Sequence, residues 1–405
     1  MDLREQNFGL ELEFTGITRE QAADVIAEHF GTNKHYVGGS YYKYVIPDNN
    51  GRKWQVMYDS SIRASRRGGY ADDTYKCELV SPICKYEDIK TIQQLVRKLR
   101  HKGGKTNDSC GIHVHIDGAN HNAKSLTNLS YIMYAKEDIL YRALDIKYSR
   151  EGYCQKTDKS FIERLQHEKP QTIDVIRRLW YNGRGSSSFH YDSSRYHCLN
   201  LHSYFSKGTV EFRCYNSTLH AGKVKSYIQF SLAVSAQAIN QHSARTEPTR
   251  SSNECYTFRT WLIRIGLNGK EFESCRLHML SNLEGAKDWK DKEAAMRRRA
   301  EREAHARELM NSVNELRNSS PENNGLTVAD IISRPDAQIR TGNDFTIREQ
   351  LIMLLEEIQD NSITPDERAT ICDILGYDRS QQPQTGQQEP SQTVRQPVGR
   401  NQRRR

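Results

Sequence analysis

Long apolar runs, a secretory leader and closely spaced cysteines are all missing from this 405-residue sequence. No stretch approaches the roughly 18 continuous apolar residues that a membrane helix needs, and the first residues lack the apolar centre of a secretory signal. The nine cysteines are odd in number and never spaced as a zinc-type C-x-x-C pair or a compact disulfide framework. We therefore expect a cytoplasmic protein without a transmembrane segment.

Hydrophobic residues make up only 36% of the chain, so part of it does not form a core. The net charge of +8 is unevenly placed, because residues 379–405 contain six Arg and one Glu and account for +5 of it. These residues are also rich in Gln and Pro, which predicts a disordered basic tail. Such a tail can bind nucleic acid weakly and without specificity, but a solubilising extension is the simpler interpretation.

Two further segments precede the tail. Residues 286–317 alternate basic and acidic side chains, which predicts one long exposed helix that serves as a spacer or as a contact in a homo-oligomer. After a short linker, residues 326–378 predict a small helical unit. The pattern that bears on function lies in the remaining part, residues 7–282.

Residues 7–282 predict an α+β domain, because strands of period-two hydrophobicity alternate with helical segments. In residues 8–14, apolar side chains alternate with Glu11 and Glu13. This period puts both carboxylates on one face of a strand, with their Cα atoms about 6.6–7 Å apart, so that they can converge on neighbouring cations. Like charges this close raise each other's pKa unless a cation neutralises them.

Two more strands share this design, with an apolar side for helices to cover and a side that carries ionisable groups. Residues 110–117 place His113 and His115 on the polar side. Residues 209–215 place a further set opposite their apolar side chains. The members of that set are Glu211, Arg213 and Tyr215.

Carboxylates and imidazoles on one face suit a divalent cation. With Glu78 on another predicted strand, the set is rich in oxygen ligands and favours Mg²⁺ or Mn²⁺ over Zn²⁺. Arg213, beside Glu211, can clamp a phosphoryl oxygen and stabilise transferred charge. Each motif alone has a simpler explanation, such as a solvated face or a salt bridge within one strand. Several strands with the same phase favour a functional site.

Five short motifs in this order resemble the amidoligase family: F-G-L-E-L-E-F at 8–14, W-Q-V at 54–56 with D-S-S-I at 59–62, E-L-V-S-P at 78–82, C-G-I-H-V-H at 110–115 and T-V-E-F-R at 209–213. The resemblance covers residues 7–240. It places the chain in the carboxylate-amine ligase superfamily with glutamine synthetase and gamma-glutamylcysteine ligase. It implies a glutamine-synthetase-like antiparallel sheet curved around a funnel, with helices on its back. It also implies an enzyme that uses ATP and Mg²⁺ or Mn²⁺ to join a carboxylate to an amine.

The resemblance further implies a division of the metal ligands. Glu13 and Glu78 would hold a metal near the acceptor carboxylate. Glu11, His113 and Glu211 would hold the metal that bridges the phosphates of ATP.

The other matching residues would act on the substrates. His115 would approach the nucleotide phosphates, and Arg213 would stabilise the transferring γ-phosphoryl group. Asp59 would place or deprotonate the amine. Arg195 and Asn200 sit where the family has positions that face the nucleotide or the substrate.

Two other classes of function stay open at this point. A metal-dependent hydrolase can use the same acids and histidines to activate water, although Arg213 beside Glu211 fits a phosphate better. A catalytically inactive binding protein with a nucleic-acid-binding tail is the second alternative. For a ligase, the carboxylate and the amine can belong to an amino acid, a peptide or a protein. The occurrence of family members on phage and mobile elements favours modification of a peptide or a cell-wall component.

Overall fold

The structure is a computed structural model that describes residues 1–67, 69–287, 292–333, 346–358, 363 and 365–377. The chain divides into two compact units, Met1–Lys290 and Asp291–Arg405. The predicted basic tail and part of the predicted charged helix, residues 288–291, lie outside the described residues. Among the helices that the structure describes, none is both long and apolar enough to cross a membrane.

The described part of the first unit contains one antiparallel sheet of eight strands. Its strands are β1 Phe8–Phe14, β2 His35–Gly38, β3 Lys43–Pro47, β4 Lys53–Met57, β5 Cys77–Val80, β6 Gly111–Asp117, β7 Leu199–Asn200 and β8 Thr209–Asn216. They lie in the order β2-β3-β4-β5-β1-β6-β8-β7, and each neighbouring pair is antiparallel. The predicted α+β class and antiparallel sheet are thus confirmed, and β1 lies near the middle of the sheet.

Helices of the first unit connect the strands, and several of them cover the apolar side of the sheet. They are α1 Arg19–Phe30, α2 Ile89–Lys102, α3 Ala123–Leu144, α4 Lys159–Glu168, α5 Ile173–Tyr181, α6 His202–Lys207, α7 Ala221–Asn240, α8 Glu254–Arg264 and α9 Glu273–Leu280. Local sequence fixes their ends: α1 begins at a capping box between Thr18 and Gln21 and ends at Gly31, whose φ of 65° suits glycine.

The alternation read from β1 holds in the structure. Leu10 and Leu12 are at most 1% exposed and belong to the main hydrophobic core. Their neighbours Glu11 and Glu13 therefore point to the other side of the sheet. Burial of the apolar set fixes the strand's phase, since a slip of one residue would move every apolar side chain out of the core.

The alternation predicted for residues 209–215 breaks at a β-bulge. The pairing of β6 with β8 shifts register between Ile112 and Val114, so Tyr215 pairs with Ile112 on the apolar side. The Tyr215 hydroxyl lies 2.6 Å from that of Ser231, and its ring stacks on Tyr227, both in α7. The prediction that Tyr215 shares a face with Glu211 and Arg213 is wrong, because a bulge inserts one residue and reverses the phase beyond it.

The second unit is helical in its described residues. Its helices are α10 Lys292–Ser319, α11 Val328–Ser333, α12 Ile347–Glu357 and α13 Pro365–Leu375. One apolar stripe of α10, formed by Ala306, Leu309, Val313 and Leu316, is buried in a small core with residues of the other three helices. The remaining faces of α10 carry its charges.

Candidate functional site

The polar side of β1, β5, β6 and β8 carries a cluster of ionisable residues that are buried or, for Glu11, partly exposed. The register pairs Glu11 with His113, Glu13 with Glu78, and His115 with Glu211. Residues paired across antiparallel strands point to the same face, so these six side chains share one side of the sheet. The structure therefore brings together all the acids and histidines predicted as metal ligands.

Distances within the cluster are short. His113 Nδ1 lies 2.9 Å from Glu11 Oε2 and 3.7 Å from Glu211 Oε1. His115 Nε2 lies 3.2 Å from Glu11 Oε1. Glu11 is therefore the centre of the cluster, within reach of both imidazoles.

Three groups of side chains have ligand atoms that all lie within 4.8 Å of one another. They are Glu11 with Glu78 and His113, Glu11 with His115 and Glu211, and Glu13 with Asp59 and Glu78. Oxygen ligands dominate each group, which is the donor set that Mg²⁺ and Mn²⁺ prefer.

The orientation of His115 also fits a cation. Its Nδ1 lies 3.0 Å from Thr209 Oγ1 and 3.4 Å from Ser203 Oγ, which holds the ring in place. Its Nε2 is buried and makes no hydrogen bond, because the nearby Glu11 oxygen is off the direction that a hydrogen bond needs. A buried imidazole nitrogen turned toward carboxylates without bonding to them is suited to bind a metal.

Glu211 is held by two donors. Arg213 Nη1 donates to its Oε1 at 2.5 Å, and Asn200 Nδ2 donates to its Oε2 at 2.7 Å. All three side chains are buried. The structure therefore places Asn200 against Glu211, where it orients the carboxylate. Arg213 Nε has no hydrogen-bond partner, so its guanidinium keeps donors for a ligand.

Asp59 and Arg195, the two remaining predicted site residues, have different surroundings. Asp59 belongs to the third ligand group, is half-buried, and accepts hydrogen bonds from the amide and the hydroxyl of Ser61 at 2.7 and 2.5 Å. The guanidinium of Arg195 lies 5.7 Å from the ring centroids of both Tyr191 and Tyr196.

Residues 4–235 match the family described as "Putative amidoligase enzyme". This match spans more than half of the chain and contains every residue of the cluster. The chain belongs to the amidoligase family. The recognition made from five short motifs is therefore confirmed, and ligase is the class of activity that membership supports. No curated protein matches the sequence.

Burial and neighbouring charges set the protonation of the amidoligase carboxylates. Burial acts to raise the pKa of Glu11, but His115 and His113 outweigh it and hold that pKa well below its ordinary value. Burial likewise opposes the effects of Arg213 and His115 on Glu211, whose pKa falls to about 2. These two acids are ionised at neutral pH.

The pKa values of Glu13 and Glu78 are shifted in the opposite direction. Burial and repulsion from Asp59 raise the pKa of Glu13 to about 7. Burial and repulsion from Glu11, Glu13 and Asp59 raise the pKa of Glu78 well above its ordinary value. In the absence of a cation, this part of the site retains protons at neutral pH.

The two histidines differ as well. Burial and the charge of Arg213 lower the pKa of His113 to about 4, so it is neutral and able to bind a metal. Burial opposes protonation of His115, but Glu211 and Glu11 raise its pKa above the ordinary value.

One buried cation of the amidoligase site was not indicated by the strand pattern. Arg150 is only 4% exposed and lies over Gly111, at the start of β6. It lies in a 3₁₀ segment, Tyr148–Arg150, which is too short for a periodic pattern that would predict where its side chains point. The one signal in the sequence was Gly111 itself, since a glycine ahead of H-x-H suggests a close approach of another group.

Proposed function

We propose that this amidoligase is an ATP- and Mg²⁺-dependent ligase that forms an amide bond between a carboxylate and an amine through an acyl phosphate. The observation that carries the proposal is the overlap of two ligand groups at Glu11, directly beside the buried pair of Arg213 and Glu211. Phosphoryl transfer needs metal ions and positively charged donors around the phosphate. Metal ligands next to an arginine with unused N–H donors can supply both. A hydrolase would not require that arginine.

Two of the three ligand groups are assigned to metals. We assign Glu11, His115 and Glu211 to the metal that contacts the phosphates of ATP, with His113 supporting Glu11. Glu13 and Glu78 would hold a second metal near the acceptor carboxylate, with Asp59 beside them. Divalent metal bound there supplies positive charge that offsets the charge of the phosphates and of the carboxylate.

The reaction follows from the weakness of a carboxylate as an electrophile. A carboxylate oxygen of the acceptor attacks the γ-phosphorus of ATP, the bond to ADP breaks, and an acyl phosphate forms. The amine then attacks the acyl carbon, loses a proton to Asp59, and expels inorganic phosphate. Arg213 donates to the phosphoryl oxygens as their charge changes, and the buried strand positions keep the groups aligned.

A cavity of about 350 Å³ adjoins the cluster and is proposed to take the nucleotide. Its walls include Gly9, Glu11, Pro82, His115 and Lys207. The volume lies within the range of small-molecule sites, and the lining joins apolar surface to charged groups at one end. Lys207 at the rim can attract phosphate.

The test is release of ADP with Mg²⁺ and panels of amino acids and peptides, which are the substrates that we expect. A ligase releases ADP only when both a carboxylate and an amine are present, and mass spectrometry of the mixture then shows a product formed with loss of water. ATP-independent loss of a substrate would instead identify a hydrolase. The absence of both activities, without a thermal shift on adding Mg²⁺ and AMP-PNP, would identify an inactive domain.

A further inference from the structure

Arg150 is held in place by the backbone around it. Its carbonyl oxygen accepts hydrogen bonds from the amides of Tyr153 at 2.8 Å and Cys154 at 3.1 Å. Nearby, Ser149 Oγ donates to the carbonyl of Asp108 at 3.1 Å. The segment is therefore held on both sides of Arg150, by the turn that follows it and by the loop before β6, which limits the positions that its side chain can take.

The guanidinium of Arg150 occupies the space that a side chain at position 111 would fill. A Cβ atom built on Gly111 would overlap both terminal nitrogens of Arg150. The backbone of Gly111 does not have the positive φ that favours glycine, so glycine serves there to leave room. The amide of Gly111 donates to Glu13 Oε2 at 2.6 Å, which places Arg150 beside the Glu13 end of the site.

This guanidinium has few partners. Its hydrogen bond to a protein atom is long, 3.4 Å from Nη2 to the carbonyl oxygen of Arg213, and its Nε has none. No carboxylate among the described residues lies within 4.0 Å of it as an ion pair. Since guanidinium carries five N–H donors, a buried one with so little compensation is costly unless a ligand supplies the acceptors.

We propose that Arg150 binds the carboxylate group of the acceptor substrate. This inference rests on the proposed function and adds a residue that positions the group to be activated. The planar fork of arginine matches the two oxygens of a carboxylate. Arg213 fits that task less well, because one of its terminal nitrogens already donates to Glu211 at 2.5 Å.

The position of Arg150 favours a carboxylate over the nucleotide. On β6 the polar positions run from Gly111 through His113 to His115. The cavity proposed for the nucleotide lies at the His115 end, whereas Arg150 lies at the Gly111 end. The ligand groups lie between these two ends, so a carboxylate on Arg150 and a nucleotide in the cavity would meet at the metals.

The test compares carboxylate binding with nucleotide binding in Arg150→Gln. Acetate and L-glutamate are titrated at constant ionic strength with Mg²⁺ present, and AMP-PNP is titrated separately, both by calorimetry. We expect the variant to bind the carboxylates roughly 30-fold more weakly, as for loss of one partner of a buried charge pair, and AMP-PNP within about twofold of wild type.

One control variant separates binding of a substrate carboxylate from a purely structural role of Arg150. Arg19→Gln removes a guanidinium of similar burial, 6% exposed, that donates to the carbonyls of Asp73 and Lys76 away from the cluster. It should leave both affinities unchanged.

A second route displaces Arg150 without removing its charge. Gly111→Ala pushes the guanidinium aside and should weaken carboxylate binding, whereas Gly152→Ala, where the new methyl group meets open space, should not. This pair decides the question if Arg150→Gln does not fold.

The outcomes distinguish the two proposals. Failure of the wild type to bind AMP-PNP with Mg²⁺ would reject the proposed function. If AMP-PNP binds but neither carboxylate does, or if carboxylate binding survives both Arg150→Gln and Gly111→Ala, only the assignment of Arg150 is wrong. Loss of AMP-PNP binding with unchanged carboxylate binding would assign Arg150 to phosphate and overturn the proposal.

Discussion

Two pairs of carboxylates share the polar side of the sheet and differ in what surrounds them. Glu11 is flanked by two imidazoles, and Glu211 accepts hydrogen bonds from Arg213 and Asn200. Glu13 and Glu78 instead face each other across β1 and β5, with Asp59 close by. Desolvation acts to raise the pKa of all four, but the surroundings hold the pKa values low in the first pair and raise them further in the second.

The difference indicates which part of the site depends on a cation from solution. The negative charges of Glu11 and Glu211 are compensated by neighbouring groups of the protein itself, so this pair is ionised without a bound cation. The second pair holds protons at neutral pH and becomes fully charged only when a cation replaces them. Metal binding at Glu13 and Glu78 should consequently release protons.

The largest expected effect is on the free energy of unfolding, and it tests the contrast between the two carboxylate pairs. Glu211→Gln leaves the buried guanidinium of Arg213 without its counter-charge and should lower the free energy of unfolding by roughly 3–5 kcal/mol. Glu78→Gln resembles the protonated carboxyl that is already present, and should change metal-free stability by less than about 1 kcal/mol. Urea unfolding in EDTA at neutral pH measures both.

Added Mg²⁺ supplies the control for that comparison. Glu78→Gln should lose much of the stabilisation that Mg²⁺ gives to the wild type, since a ligand is gone although the metal-free fold is intact. Equal losses of metal-free stability in Glu78→Gln and Glu211→Gln would show that the two pairs do not differ as described.

Arg213→Lys should produce the next largest effect. Lysine keeps the charge that Glu211 needs but lacks the planar fork, so folding and Mg²⁺ affinity should barely change. Turnover should fall by roughly 10²- to 10³-fold, as when one preorganised transition-state donor is removed. ADP formation and the unfolding midpoint are measured on the same variant. Normal turnover would show that Arg213 serves only to hold Glu211.

The convergence of Glu11, His113 and Glu211 could be predicted because strand alternation is a local property. Period two together with an apolar back face decides which side chains share the front, whichever strands are neighbours. The order of the strands and their register are set by long-range pairing. The strand order and the register decide that His115, and not His113, shares a ligand group with Glu211.

Other features depended on contacts that no local pattern encodes. The bulge that turns Tyr215 to the helices is a property of the pairing of β6 with β8. Asn200 lies in a strand of two residues, too short for a periodic signal. Arg150 reaches the site from an irregular segment, and only the small residue beneath it hints at its presence.

The raised pKa values of the second pair should appear directly in the pH dependence of the free energy of unfolding, measured without metal. A carboxyl with a raised pKa keeps its proton in the folded state, so stability is lost as the pH rises through the folded pKa. For Glu13 that pKa is about 7 and the ordinary value is 4.5, so the loss should begin near pH 4.5 and level off above about pH 7; about 1 kcal/mol of it should fall between about pH 6.5 and 8. His113, whose pKa is lowered to about 4, acts in the opposite direction but at lower pH.

Glu13→Gln removes this contribution, together with the part of the raised Glu78 pKa that comes from repulsion by Glu13. His115 and the buried Glu137 also have raised pKa values and lose stability in the same direction, but they are unchanged in the variant. In EDTA, the wild type should therefore lose more stability than Glu13→Gln over this pH range. Parallel curves would place the pKa of Glu13 below this range.

The smallest effect concerns Asp59, whose charge repels Glu13 and Glu78 from a half-buried position. Asp59→Asn removes this repulsion but weakens the turn in which Ser61 donates to the carboxylate at 2.7 Å. The net change in metal-free stability should be below about 1 kcal/mol, since half-exposed charges interact weakly. Asp72, which accepts a hydrogen bond from the amide of Thr74 at 2.8 Å, forms a similar turn outside the ligand groups.

Asp72→Asn is therefore the matched control for the loss of the turn. In EDTA above neutral pH, where Glu13 is ionised, Asp59→Asn should be more stable relative to wild type than Asp72→Asn. Below about pH 6 the two variants should converge, because Glu13 is then protonated and no longer repelled. A difference between them that does not change with pH would mean that Asp59 contributes nothing to the repulsion in the second pair, whose raised pKa values would then come from burial and mutual repulsion alone.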